Sequence, residues 1–78
     1  GTTRSLVIKI INKLNLNFEE RNIKLSELID SDEIFITNIV EEITPVIEIK
    51  NSNFKNKKVG EMTKILQKEY FNLIDKEL

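Results

Sequence analysis

Cysteine, histidine and tryptophan are absent, and proline, methionine and tyrosine occur once each among 78 residues. Without cysteine no disulfide can form, and without a His/Cys cluster no structural zinc can be held, so both usual staples of a small domain are excluded. A chain of this size leaves roughly 40% of its unfolded surface exposed after folding, so the missing support has to come from packing. Charge of one sign is also lacking: 12 basic residues face 13 acidic ones, a net charge of -1. The strong positive field of a nucleic-acid binder is therefore absent. No apolar run approaches the roughly 20 residues of a membrane-spanning helix, and no signal-peptide pattern opens the chain. We expect no membrane partner and a cytoplasmic location. The one methionine is Met62 and the first residue is Gly1, from which we expect a cut, processed or engineered piece.

What is present favours a packed globular fold, with a hydrophobic fraction of 40% rich in Ile and Leu. Leu6, Val7, Ile10, Ile11 and Leu14 fall at helical spacing, predicting an amphipathic helix from Thr3 to Leu14 stopped by Asn15 and Asn17. Phe18 to Ile23 suits a short half-exposed strand. Ser26 reads as the N-cap of one or two helical turns that end at Asp30-Ser31-Asp32. Two β-rich runs follow, Ile34 to Thr37 and Ile43 to Lys50. In the second, Ile43, Pro45, Ile47 and Ile49 share one face and Thr44, Val46, Glu48 and Lys50 the other. Pro45 has no amide donor and belongs near a strand start or at an edge. Asn51-Ser52-Asn53 predicts a turn before a short strand near Phe54, and Lys55 to Lys58 a solvated loop. After Gly60, a final helix is marked by Met62, Ile65, Leu66, Tyr70, Leu73 and Ile74, with Phe71 widening its apolar surface. The expected order is α-β-α-β-β-α, an α/β piece of α+β character in one domain, residues 1–78.

Three places invite a chemical reading. A helix N-terminus offers unpaired amides and a partial positive charge, so Gly1-Thr2-Thr3-Arg4 can cradle an anion such as phosphate. Ordinary capping by the Thr2 and Thr3 hydroxyls explains the same residues. At the end of the strand Ile34 to Thr37, Asn38 and the amides of Ile39 and Val40 can face a ligand, or can simply turn the chain. The pairs Glu19-Glu20 and Glu41-Glu42 do not make acid/base dyads, because neighbours on a strand point to opposite faces. With no His or Cys, nucleophilic catalysis would require an activated Ser, Thr or Lys, and none lies in a catalytic motif.

Three ordered patterns narrow the choice: Gly1-Thr2-Thr3-Arg4 opening a helix; Phe35-Ile36-Thr37-Asn38 followed by Glu42-Ile43-Thr44-Pro45-Val46; and Gly60-Glu61-Met62-Thr63 opening Lys64 to Phe71. Together they resemble the C-terminal end of the class IV (fold-type IV) pyridoxal-phosphate enzymes, with their G-I-T-R, T-P-V and G-x-x-T-x-x-L-x-x-x-Y/F segments. The resemblance spans nearly the whole chain. It implies pyridoxal 5'-phosphate as cofactor, its phosphate held by the amides of Thr2 and Thr3, the Thr3 hydroxyl and the Ile39 amide, with Asn38 and Val40 toward the substrate. Aminotransferases of the family often carry a hydroxyl residue where this chain has Ile39, so only the backbone can serve there. Thr37-Asn38 resembles the aminodeoxychorismate lyase branch, which forms 4-aminobenzoate and pyruvate. Branched-chain and D-amino-acid aminotransferases are the alternative, and a non-enzymatic interaction domain using the final helix is a third reading. The resemblance further implies an upstream domain carrying the Schiff-base lysine, a small-molecule amino or aminodeoxychorismate substrate and a homodimer when intact. No catalytic residue is expected within this chain, which should be inert alone.

Overall fold

The computed structural model describes residues 1–56 and 58–77. Three helices and one hairpin follow the order α1 (Thr2–Lys13), α2 (Leu25–Ile29), β1 (Ile34–Asn38), β2 (Glu42–Val46) and α3 (Glu61–Glu77). The fold is thus α+β as expected, without the strand expected at Phe18 to Ile23.

That stretch is irregular and all six residues are exposed. A lone half-polar strand has no ladder partner to satisfy its amides, and this stretch is tied down by exposed ion pairs instead. Arg21 pairs with Glu27 at 2.8 Å and with Glu19 at 3.5 Å, while Arg4 pairs with Glu20 across to α1.

Helix α1 ends as its sequence dictates. Asn15 takes a left-handed φ of 57°, its amide bonds to the Asn12 carbonyl at 3.1 Å, and the Leu16 amide bonds to the Ile11 carbonyl at 3.1 Å. This is a Schellman termination, in which asparagine bears the unusual backbone conformation at low cost. Helix α2 begins two residues earlier than the sequence suggested. Its N-cap is Lys24, not Ser26, because the Glu27 carboxylate reaches back to accept the Lys24 amide at 3.2 Å and so performs the capping.

The two strands pair antiparallel, with Phe35 opposite Pro45 and Thr37 opposite Ile43. Proline cannot donate, so the Phe35 and Thr37 pairs are the non-hydrogen-bonded ones, and their backbone groups point to the outer edges. The same four side chains share the face turned toward the helices, where Ile43 is buried and Phe35 packs against the core. β2 stops at Val46 rather than running to Lys50, because beyond it the chain folds on itself. The Ile49 amide bonds to the Phe54 carbonyl at 3.2 Å and the Asn56 amide to the Ile47 carbonyl at 2.7 Å. An isolated bridge joins Glu48 to Lys55; Asn51 turns at φ 62°, and Phe54 is buried. The expected strand near Phe54 is this bridge. Lys55 and Lys58 are exposed, and Lys57 lies outside the described residues.

The core joins Val7 and Ile10 of α1, Ile43 of β2, and Leu66 and Tyr70 of α3, with Leu6, Ile11, Leu14, Phe35, Leu73 and Ile74 around it. All five apolar positions expected of α1 therefore pack. In α3, Leu66, Tyr70, Leu73 and Ile74 of the expected stripe pack on the core, and only its start departs. Thr63 is 1% exposed whereas Met62 and Ile65 are 39% and 45% exposed. The cause is Glu33, whose carboxylate accepts the Met62 amide (3.1 Å), the Thr63 amide (2.8 Å) and the Thr63 hydroxyl (2.8 Å). Such a cap satisfies unpaired amides and turns Thr63 inward. Phe71 remains 68% exposed.

Candidate anion site at the helix start and hairpin turn

Gly1 is the N-cap of α1, and no side chain caps the helix. The first helical bond runs from the Ser5 amide to the Gly1 carbonyl at 3.1 Å. The amides of Thr2, Thr3 and Arg4 thus lack intrahelical partners, and no acidic residue occupies the first turn. A partial positive charge of roughly half a unit is left at this end. Capping by Thr2 and Thr3, which the sequence allowed, is not what their hydroxyls do. Thr2 is exposed, while Thr3 is 3% exposed and its hydroxyl donates to the Asn38 carbonyl at 2.9 Å. Threonine inside a helix turns elsewhere when a better acceptor is near.

That bond joins residues 35 positions apart and sets the hairpin turn beside the helix start. The turn is built by Asn38, whose Oδ1 accepts the amides of Val40 at 3.0 Å and Glu41 at 2.6 Å. Glu42 closes it at a φ of 63°. Asn38 therefore spends its side-chain carbonyl on the turn, as asparagine commonly does, and keeps Nδ2 as a donor. Among the described residues no hydrogen bond reaches the Ile39 amide. Ile39 and Val40 are 80% and 84% exposed, so two large apolar side chains stand at the tip next to an unpaired donor.

Of the residues singled out in the sequence, Thr3 and Asn38 are in contact, Thr2 and Ile39 flank that contact along the chain, and the Val40 amide is already bonded within the turn. Arg4 is held by Glu20 and is a poor candidate to meet an anion. The donor set fits a phosphate: several backbone amides, a helix dipole and no carboxylate on the helix turn. Among the described residues no group of His, Asp or Glu could hold a metal ion, and no helix is long and apolar enough to cross a membrane.

Sequence reasoning missed three supports of this site. Glu33 caps α3, the Gln67 side-chain amide donates to the Ile43 carbonyl at 3.0 Å, and the buried Tyr70 hydroxyl stands 3.5 Å from Thr3 Oγ1. The signal was present in Thr63, Gln67 and Tyr70, spaced i, i+4 and i+7 on a face otherwise read as apolar. Glu33 carried no such mark. Burial works to raise its pKa, but the bonds from the Thr63 amide and hydroxyl and the Met62 amide outweigh it, and the carboxyl lies below the usual glutamate value.

The helix start and the hairpin turn thus place the unpaired amides of α1 and of Ile39 on either side of the bond from Thr3 to Asn38. The family model for amino-transferase class IV matches residues 1–49, and the chain belongs to that family, whose members are pyridoxal-phosphate dependent. Over 75 residues the chain is 45% identical to a probable branched-chain-amino-acid aminotransferase of Aquifex aeolicus, covering 95% of this chain and 24% of that protein. It is 40% identical over 70 residues to a putative branched-chain-amino-acid aminotransferase of Methanocaldococcus jannaschii, covering 90% and 24%. A D-alanine aminotransferase of Bacillus licheniformis is 34% identical over 74 residues, covering 95% and 26%. The chain thus spans about a quarter of the length of these relatives.

Proposed function

We propose that the intact protein is a pyridoxal-phosphate-dependent aminotransferase acting on amino acids, and that this chain is its cofactor-phosphate-binding C-terminal part. The observation that carries the reading is the 2.9 Å bond from the Thr3 hydroxyl to the Asn38 carbonyl, which brings the turn bearing the unpaired Ile39 amide beside the unpaired amides at the start of α1. The amides of Thr2, Thr3 and Ile39 hold the phosphate in this reading. The proton of the Thr3 hydroxyl serves Asn38, so Thr3 meets the phosphate through its backbone. Asn38 Nδ2 and the Val40 side chain face the substrate. When bound, the cofactor serves as an electron sink for the bond broken at the substrate's α-carbon. The residues of this chain orient it and supply no proton-transfer group, so the chain alone is inert. The upstream domain provides the lysine, the family's homodimer is the expected assembly and the cytoplasm the expected location.

Branched-chain amino acids are the substrates named for the two relatives at 45% and 40% identity, and this is the specificity we favour. The Thr37-Asn38 pair supports a second reading, an aminodeoxychorismate lyase. The test is the visible spectrum of the full-length protein before and after borohydride. A band that borohydride bleaches establishes the cofactor, whereas no band after adding pyridoxal phosphate removes the enzyme reading in favour of an interaction domain. Amino-group transfer from a branched-chain amino acid to a 2-oxo acid then selects the aminotransferase. Pyruvate release from aminodeoxychorismate selects the lyase.

A further inference from the structure

We propose that Gln67 and Tyr70 are positioning residues, which hold the hairpin turn at the distance from the start of α1 that the phosphate cradle requires. This rests on the cofactor reading above. Thr63, Gln67 and Tyr70 lie on one face of α3 at spacings of four and three residues, a straight polar stripe along the helix. Each is tied to a different level of the same hairpin. Thr63 bonds Glu33, which immediately precedes β1. Gln67 bonds the carbonyl of Ile43, near the start of β2. Tyr70 approaches Thr3, which bonds Asn38 at the turn. Because Ile43 opposes Thr37 in a non-hydrogen-bonded pair, its carbonyl faces outward, and Gln67 is the donor that meets it.

Packing does little of this work at the tip. Ile39 and Val40 are more than three-quarters exposed. Between the turn and α3 runs an open groove of about 210 Å³, lined by Glu41, Glu42, Ile43, Gln67, Tyr70 and Phe71. With space beneath it, the tip is fixed by directional bonds. Two are direct, Gln67 to Ile43 and Thr3 to Asn38, and the buried Tyr70 hydroxyl stands against the Thr3 hydroxyl at 3.5 Å. An anion held by amides from two separate segments requires those segments in fixed register, because a misplacement of even 1 Å weakens every contact made across the gap.

The test uses the full-length protein with Gln67→Met and Tyr70→Phe, which keep length, helix propensity and ring packing while removing the polar atom. Cofactor release is followed by its absorbance, and amide exchange is followed in the cofactor-free form. Each variant should release cofactor about fivefold faster, the scale of one lost hydrogen bond. Exchange at Val40 and Glu41, whose amides bond Asn38, should quicken while that of α1 and α3 stays at the wild-type rate. Wild-type release, with or without faster tip exchange, overturns the positioning role. Faster exchange throughout α1 and α3 also overturns it, since the stripe would then be general packing. A wild-type protein that takes up no cofactor instead fails the functional reading, an outcome distinguishable because it appears before any substitution is made.

Discussion

Residues 15–32 and the rest of the described chain use polar interactions in opposite ways. The first region holds α2, which buries no residue, and ties itself down with exposed ion pairs: Arg4 with Glu20, and Arg21 with Glu19 and Glu27. The second places its polar groups against the core, with Thr3 and Thr63 both at 3% exposure or less. Exposed pairs gain little because water screens them and two long side chains must be ordered. Part-buried bonds to carboxylates and carbonyls are costly to lose, since the partner left behind is cut off from solvent. The number of polar contacts therefore says little about which region holds the fold together.

The largest effect should come from the packed region. Leu66→Ala removes a side chain that is 3% exposed and should cost about 3 kcal/mol in urea unfolding, as large-to-small core changes do. A loss under 1 kcal/mol would mean that the helices are not held by this core. Next comes Gly60→Ala. An added Cβ would lie 2.1 Å from Glu33 Cδ and 2.2 Å from its Oε1. The glutamate is flexible and can move away, but only by leaving Met62 and Thr63, so a loss of about 2 kcal/mol is expected. If Glu33→Gln followed by Gly60→Ala shows the two losses simply adding, the clash does not act through Glu33.

Acid should separate the regions in a third way. The Glu33 carboxyl has a folded pKa below the ordinary glutamate value of 4.5. Its contribution is therefore complete above about 4.5 and is lost as pH falls through the lower folded value. Stability measured from pH 6 downward should fall in that window, and the fall should shrink in Glu33→Gln. Glu27 is shifted the same way, first by its bond from Arg21 and then by the Lys24 amide. It is fully exposed, so Glu27→Gln should leave the acid profile nearly unchanged. The smallest effect belongs to Arg21→Ala, expected to leave the urea-unfolding midpoint close to that of the parent chain. A clear drop in the midpoint would show that residues 15–32 are more than a surface strap.

The same contrast explains what could be read from the chain before the fold was in view. Helices α1 and α3 and the hairpin were legible because Leu6 to Leu14, Ile43 to Val46 and Leu66 to Ile74 repeat at the period of the surface they bury. Phe18 to Ile23 misled because alternation identifies a strand only where a neighbouring backbone is available, and here Arg21 and Glu27 decide the conformation instead. The inward turn of Thr63 at the start of α3 was hidden for a related reason: Glu33 is 30 residues from Thr63 in the chain, and periodicity carries no information about a partner that distant. The candidate site was legible in its two segments, through Gly1-Thr2-Thr3 and Asn38. The bond that joins them, and the Gln67 and Tyr70 supports, depend on α3 crossing both segments, which no local pattern states.

Pro45 shapes more than its own pairing with Phe35. A strand seeking to add to the β2 edge would find no donor at Pro45 and the carbonyl of Ile43 already claimed by Gln67. Along β1 it would find the outward backbone groups of Phe35 and Thr37. The hairpin therefore has a polarity as a template: one flank is sealed by a ring and a side chain, and any enlargement of this sheet proceeds from the other.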